Sequence, residues 1–470
     1  MVMSSAKKKC LVITYITPRC PGGGGEVRSF HLVNAATEVF DVSILNIGGI
    51  SGAGLIPIEI TKRCQKVIQP SSEPLKTPSV ASRGRLRSWL HFFSACIFPW
   101  LDNYEPFLTL ILQYGSTARS NKNNLPNLVI RKALSFWSRL LPIPPTTCSL
   151  FNSSWKRIED SARKLIAEDK FDIIWVENTL SWPFLERLFH SDLKNYFIIC
   201  SSQNIETAVY KRLEDKSRSS PFLNYYAAQT RLMQKMELRA WAHSDLIIQC
   251  SEMDAEMTRL AVPGKMVKTI PNGVDTKYFQ KKNEASLSES PTILFTAGFG
   301  YHPNIEAVEW FLDKVFLGLL SIIPNCKFLF AGSEAESVYQ NIKSTRSSID
   351  QSVECISDPP DIRPCFEKAW VYVVPLQYGG GTRLKILEAM SMRVPVVSTR
   401  IGAEGVPYED GKHLLLADSP EDFIKAIVKL LNDPTLRTDM SANAAEFVGE
   451  NYDWQRLCQQ TSTVLRETCA

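Results

Sequence analysis

The sequence predicts an α/β protein built from two doubly wound domains, each a parallel sheet covered by helices on both faces. Three observations carry this. Short, nearly continuous apolar runs recur along the chain. They alternate with segments of helical periodicity. Glycine-rich turns follow several of the runs. The first run, Cys10 to Ile16, passes directly into PRCPGGGG and is expected to be a buried strand feeding a glycine turn and a helix. Further strands are expected at Asp172 to Val176, Tyr196 to Cys200 and Asp245 to Cys250. Four more follow at Thr292 to Thr296, Lys327 to Ala331, Val371 to Pro375 and Val394 to Ser398. Ala307, Trp310, Phe311, Val315 and Leu319 recur at i, i+3, i+4 spacing and mark a connecting helix between two of these strands.

The chain has 470 residues, enough for at least two domains, and 44% of them are hydrophobic against 22% charged. That balance excludes a disordered or fibrous chain. A net charge of +4 argues against a dedicated nucleic-acid binder, which would concentrate a basic face against phosphates. The twelve cysteines include no C-x-x-C pair, and several lie in apolar runs, so a reduced, cytoplasmic protein is expected. Lys7, Lys8 and Lys9 precede LVITYI, which is too short for the apolar region of a signal peptide. No apolar stretch approaches the roughly 18 residues of a spanning helix, leaving a soluble protein or one attached to a membrane from one side.

The polar, serine-rich stretch from 276 to 291, closed by Pro291, is the best domain boundary. It separates a first domain over 1–280 from a second over 291–451, with a last helix over 452–470. Residues 64–150 are expected to be a helical insertion in the first domain. Within it, RGRLRSWLHFFSACIFPW (Arg83 to Trp100) fits two descriptions: an inserted helix facing the core, or a basic, aromatic helix lying on a membrane surface.

The richest constellation is VYVVPLQYGGGTRLKILEAMSMRVPVVST, residues 371 to 399. A buried strand ends at Pro375, Gly379, Gly380 and Gly381 follow, and a helix is expected to begin near Thr382. Glycines let a backbone approach a ligand closely, and a helix N-terminus offers free N–H groups and partial positive charge to a phosphate. Arg383 and Lys385 are expected in the first turn, where cations are unfavourable for the helix itself. That local cost points to an anion. The two are about 200° apart on a regular helix, so Arg383 is favoured beside the glycine amides, with Lys385 toward another part of the ligand or in solvent. Glu388 is positioned to accept bonds from two vicinal ribose hydroxyls.

This block resembles the donor-sugar signature of the retaining GT-B glycosyltransferases of family 4, the group 1 glycosyltransferases, ending in their L-E-A-M-x-x-x-x-P-V-V-x-[ST] pattern at Leu387 to Thr399. PNGVDTKYF (Pro271 to Phe279), ILFTAGFGYHPNIEAVEWF (Ile293 to Phe311), KFLFAGSEAE (Lys327 to Glu336), IGAEGVPYEDGKHLLLADSPEDF (Ile401 to Phe423) and YDWQ (Tyr452 to Gln455) are similar to further family segments. The likeness is strong over roughly the last 200 residues and looser before them. It implies a GT-B fold: two Rossmann-like domains facing across a cleft, with the C-terminal helix crossing back to the first domain.

In the first domain, PGGGGEVRSFHLVNAA is similar to the family's glycine loop, which implicates Gly23 and Gly24 in the donor site and Arg28 on the acceptor side. SSQNIETAVYKR resembles a segment that usually reads H-N-x-E: Gln203 replaces the His, while Asn204 and Glu206 are kept as acceptor-side candidates. Glu177, at a strand end, matches a place where members put a polar group toward the sugar; a strand-end cap is the plainer account. Gly298 and Gly300 belong to the donor loop GFGYHPN, and Gly380, Gly381, Thr382, Arg383, Lys385 and Glu388 to the signature. Two departures stand out. Gly380 occupies the place of the family's first glutamate, and GFGYHPN lacks the usual Arg and Lys.

The resemblance implies transfer of a hexosyl group from a UDP- or GDP-linked sugar to an acceptor hydroxyl, with retention at the anomeric carbon, in glycan, polysaccharide or glycolipid synthesis. The expected partners are the nucleotide sugar, a glycan or lipid-linked acceptor, and a peripheral contact with the inner face of a membrane. No cofactor is implied. The histidines form no ligand cluster and D-x-D is absent, so metal-independent catalysis is expected. A nucleotide-sugar epimerase or phosphorylase of the same fold, or a non-catalytic nucleotide-sugar binder, are the alternatives.

Overall fold

The structure, a computed structural model, describes residues 7–20, 22–47, 56–69, 153–216, 223–281, 287–345, 351–378 and 383–469. The segment from Arg83 to Trp100, most of the expected insertion, and Gly379 to Thr382 lie outside the described residues. The chain divides into two compact units. One comprises Met1–Gln249, Asp254–Lys268 and Ser462–Ala470, the other Cys250–Met253 and Thr269–Thr461. Both are parallel-sheet, Rossmann-like α/β units, as the alternation of apolar runs and helices predicts.

The first unit holds β1 (Lys9–Thr14), β2 (Asp41–Asn46), β3 (Lys66–Ile68), β4 (Ile173–Glu177), β5 (Phe197–Ser201), β6 (Leu246–Gln249) and β7 (Met266–Thr269). Their order across the sheet is β3-β2-β1-β4-β5-β6-β7. β1 pairs in parallel with both β2 and β4, setting Cys10 beside Val42 on one side and Thr14 beside Glu177 on the other. Cys10 to Ile13 and Ile174 to Val176 are fully buried, as expected of central strands covered on both faces. The helix Gly24–Val39 follows β1 and buries Leu32, Val33, Ala35 and Ala36. Its start is fixed by Glu26, which reaches back to the Gly23 N–H at 2.7 Å.

The second unit holds β8 (Thr292–Thr296), β9 (Lys327–Gly332), β10 (Val353–Ser357), β11 (Val371–Val374), β12 (Val396–Ser398) and β13 (Leu415–Leu416). Their order is β10-β9-β8-β11-β12-β13. The expected connecting helix runs over His302–Phe311 and continues through a π turn, Leu312–Phe316, into Leu317–Ile322. Ala307, Phe311, Val315 and Leu319 are all buried, and the Phe311 ring stands 4.7 Å from that of Phe328 on β9. Gly332 closes β9 at φ +142°, where an added Cβ would lie 1.9 Å from the Ala297 carbonyl oxygen, so only glycine lets the β8 and β9 ends approach. The last helix, Trp454–Cys469, begins in the second unit and ends in the first, where the Ser462 hydroxyl donates to the Ala35 carbonyl.

In each sheet the strand order reverses once: between β1 and β4 in the first unit and between β8 and β11 in the second. Open α/β sheets bind ligands outside the carboxyl ends of strands at such a reversal.

Candidate functional site

At the reversal in the second unit, β11 ends at Val374, and the described chain runs on to Tyr378 and resumes at Arg383. The helix is Leu384–Ser391, two residues later than the sequence suggests, and Arg383 is its N-cap, with φ −87° and ψ 82°. That ψ takes Arg383 out of the first turn, which corrects the expected position. Ile386, Leu387, Ala389 and Met390 bury the helix into the core. This packing fixes the direction of Lys385 and Glu388, which are three residues apart and share a face. Arg383 is itself only 6% exposed. Gly380, Gly381 and Thr382 lie outside the described residues.

Lys385 does not extend to solvent, one of the two directions the sequence allows it. Its Nζ donates to Asn304 Oδ1 at 2.9 Å and lies 4.5 Å from the centre of the Phe295 ring. Burial pushes its amine down to about 7, aided by the Arg383 charge and opposed by Glu388. Burial also pushes the Glu388 carboxyl up to about 7, with Lys385 pulling the other way.

The loop GFGYHPN wraps the same end of the sheet. Asn304 Nδ2 donates to the Gly298 carbonyl at 2.7 Å, and the Phe299 N–H donates to the Ser333 carbonyl. Gly300 lies against the Glu334 side chain, with which a Cβ would collide. His302 Nδ1 and the Tyr378 hydroxyl are 2.8 Å apart, and His302 also faces Glu306 at 3.3 Å. Two side-chain contacts therefore tie the β8 loop to the two ends of the glycine segment: Tyr378 just before it and Lys385 just after it.

The first unit has its own polar cluster at the β1/β4 reversal. Glu177 is completely enclosed: Ser29 Oγ donates to one oxygen at 3.1 Å and Trp175 Nε1 to the other at 3.0 Å. Burial raises its carboxyl, and the charge of Arg28, also fully buried, opposes that rise. Gln203, standing where the family often has His, donates to the Gly25 carbonyl at 3.0 Å and the Ser29 hydroxyl at 3.3 Å. A Cβ on Gly25 would meet Gln203 Oε1 at 2.3 Å, so a larger residue there would push the Gln203 side chain from its present place. Gly23 caps the helix and Gly24 is its first residue. The side chain of Glu177 thus points into its own unit and braces the turn of Gly23 to Gly25.

Asn204 and Glu206 border a second buried carboxylate, Glu237. The Glu237 carboxylate accepts the N–H groups of Glu206 at 2.6 Å and Thr207 at 3.0 Å, capping the helix Glu206–Lys216. Burial pushes both glutamates up to about 7, and the Glu237 charge adds to the rise of Glu206. Sequence reasoning missed Asn304, His302, Tyr378, Ser29 and Glu237. Only Asn304 carried a signal, the Pro-Asn that opens the helix after the glycine loop. Among the described residues, no three His, Cys, Asp or Glu side chains form a group that would hold a metal ion.

Residues 290–433 match the family model described as glycosyl transferases group 1. An uncharacterized 44.6 kDa protein in the cps region of Klebsiella pneumoniae is 24% identical over 300 residues, 63% of this chain and 74% of that protein. The N-acetyl-alpha-D-glucosaminyl L-malate synthase of Bacillus anthracis is 24% identical over 221 residues, 44% of this chain and 56% of that protein. Among solved structures, a sucrose-phosphate synthase from Thermosynechococcus elongatus superposes with a TM-score of 0.65 at 14% identity, covering 98% of this chain and 99% of that one. Anabaena HepE, solved with UDP and glucose, gives a TM-score of 0.57 at 13% identity, covering 98% of this chain and 100% of that one. These structures carry the GT-B fold, and the likeness extends over nearly the whole chain. Arg383, Lys385 and Glu388, with the glycines that precede them in the sequence, fall inside the matched segment, and over that segment the chain is similar to the group 1 glycosyl transferases.

Proposed function

We propose that this protein transfers a hexosyl group from a UDP- or GDP-linked sugar to an acceptor hydroxyl, with retention at the anomeric carbon and without a metal. The observation that carries the reading is the second unit's reversal point, where two cations and a carboxylate, Arg383, Lys385 and Glu388, gather at the start of one helix. A diphosphate leaving group needs preorganised positive charge as its bond to the sugar breaks. Arg383 grips phosphate oxygens as a fork and Lys385 as a point charge, while Glu388 accepts the ribose hydroxyls. The bond from C1 to the phosphate oxygen breaks, the acceptor oxygen bonds C1 on the same face, and the acceptor proton passes to the departing phosphate. Retaining hydrolases instead place two carboxylates about 5 Å apart.

HepE, solved with UDP and with UDP-glucose, lends support to the donor class. The acceptor is a glycan or a lipid-linked molecule. The proposed setting is the cytoplasmic face of a membrane, approached through residues 83–100. No described helix is long and apolar enough to cross one.

A thermal-shift screen over nucleoside diphosphates tests the donor site, because a ligand at one hundred times its Kd stabilises by about 2.7 kcal/mol. UDP or GDP is expected to raise Tm, and incubation of the matching nucleotide sugar with acceptors to yield a product heavier by one sugar. Isomerised nucleotide sugar with no product of added mass would replace transfer with epimerisation. No shift with any nucleotide would remove the reading.

A further inference from the structure

The donor-site reading leaves one buried polar side chain without a role. Asn304 is 7% exposed and stands in the first turn of the helix His302–Phe311. Its amide is fixed at both ends. Nδ2 donates to the Gly298 carbonyl, so Oδ1 is the atom that faces Lys385 Nζ. Reversing the amide would set NH₂ against ammonium and carbonyl against carbonyl.

The surroundings of the lysine amine make that acceptor consequential. On its own helix it faces the Arg383 and Glu388 charges. From β8 it meets the apolar Phe295 ring. The Tyr372 phenol on β11, held by Thr296, lies near Glu388, and burial pushes it up and keeps it neutral. On the Asn304 helix, His302 and Glu306 are turned toward Tyr378 and each other. Asn304 Oδ1 is thus a fixed dipole end on a half-buried amine whose charge is close to balance near neutral pH.

We infer that Asn304 is a positioning residue that holds the Lys385 amine for the donor diphosphate and sets the pH range over which that amine is charged. This compensates for the absence of Arg and Lys from GFGYHPN: the loop supplies the acceptor, and the signature helix supplies the cation. The inference rests on the donor-site reading of Arg383, Lys385 and Glu388.

The test is UDP binding to the full chain by calorimetry between about pH 6.5 and 9.5. A diphosphate favours the ammonium, so affinity is expected to fall by about tenfold per pH unit once the free amine deprotonates. Asn304→Asp places an opposite charge on the amine and should move that fall upward by about 1–3 pH units. Asn304→Ala removes the acceptor and should move it downward. Lys385→Met should flatten the profile, and persistence of the same fall in that variant would overturn the assignment. If Asn304→Ala fails to fold, Asn304→Asp keeps the shape and carries the test alone. Wild-type binding with a midpoint unmoved by either Asn304 variant would overturn the inference and leave the donor site standing. A wild type that binds neither UDP nor GDP would overturn the donor site and the inference together.

Discussion

Ser29 donates its hydroxyl to Glu177 at 3.1 Å across 148 residues of sequence. Ser29 belongs to the helix after the glycine turn and Glu177 to the end of β4, and β1 and β4 are neighbours at the sheet's reversal. The bond therefore locks the first turns of that helix to the sheet. Trp175 completes the enclosure, and the Arg28 charge compensates that of the carboxylate. Removing one member of a buried charged set leaves the other uncompensated, a loss of about 3–5 kcal/mol. Glu177→Ala should cost that much by urea denaturation, and Ser29→Ala less, about 1.5–3 kcal/mol for a hydrogen bond to a charged group. Near-wild-type stability of Glu177→Ala would mean that the cluster does not brace the turn.

Glu388 sits one turn into the signature helix with its carboxyl raised by burial. Substitution by Ala removes the acid without disturbing Ile386, Leu387, Ala389 or Met390, which hold the helix. Turnover should be abolished while the circular dichroism spectrum stays close to wild type. Wild-type-like turnover would take Glu388 out of the donor site.

Metal independence is expected from the residues proposed to hold the diphosphate, two cations and backbone amides rather than carboxylates. Activity should survive incubation with excess EDTA. Complete loss, restored by magnesium or manganese, would contradict the reading.

Much of the fold is legible in the sequence. Every apolar run named as a strand is one, because central parallel strands are buried on both faces and need apolar residues throughout. The strands that escape notice have physical reasons to do so. β2 carries Asp41, Ser43 and Asn46 among its apolar residues. β3, β7, β10 and β13 lie at the edges of the sheets, with mostly half-buried or exposed side chains. The glycine–helix–Glu388 constellation is visible because all its parts lie within ten residues. Asn304 and Lys385 are not paired by sequence because 81 residues separate them and only the β8–β11 neighbourhood joins them. Periodicity places Arg383 inside its helix rather than at the cap, because it locates apolar faces better than it locates ends.

Glu206 and Glu237 give the first unit a pH dependence of its own. Both carboxyls are pushed up to about 7 in the folded protein by burial, the Glu237 charge adding to the rise at Glu206. Between their ordinary value, about 4.3, and about 7 the folded state therefore binds more protons than the unfolded chain. Stability from these groups is full below that window and falls as pH rises through it. Glu206→Gln removes one titration and the repulsion with Glu237, but leaves Glu237 to accept the N–H groups of residues 206 and 207. Its Tm should match wild type near pH 4.5 and exceed it by about 2–4 °C at pH 8, the shift that about 1 kcal/mol gives a unit of this size. Glu237→Ala should lower Tm, because it strands two N–H donors at the helix start, and by more at pH 4.5 than at pH 8, where the stability that Glu237 contributes has already fallen. A Glu206→Gln curve parallel to wild type from pH 4.5 to 8 would show that Glu206 titrates as an ordinary surface carboxylate.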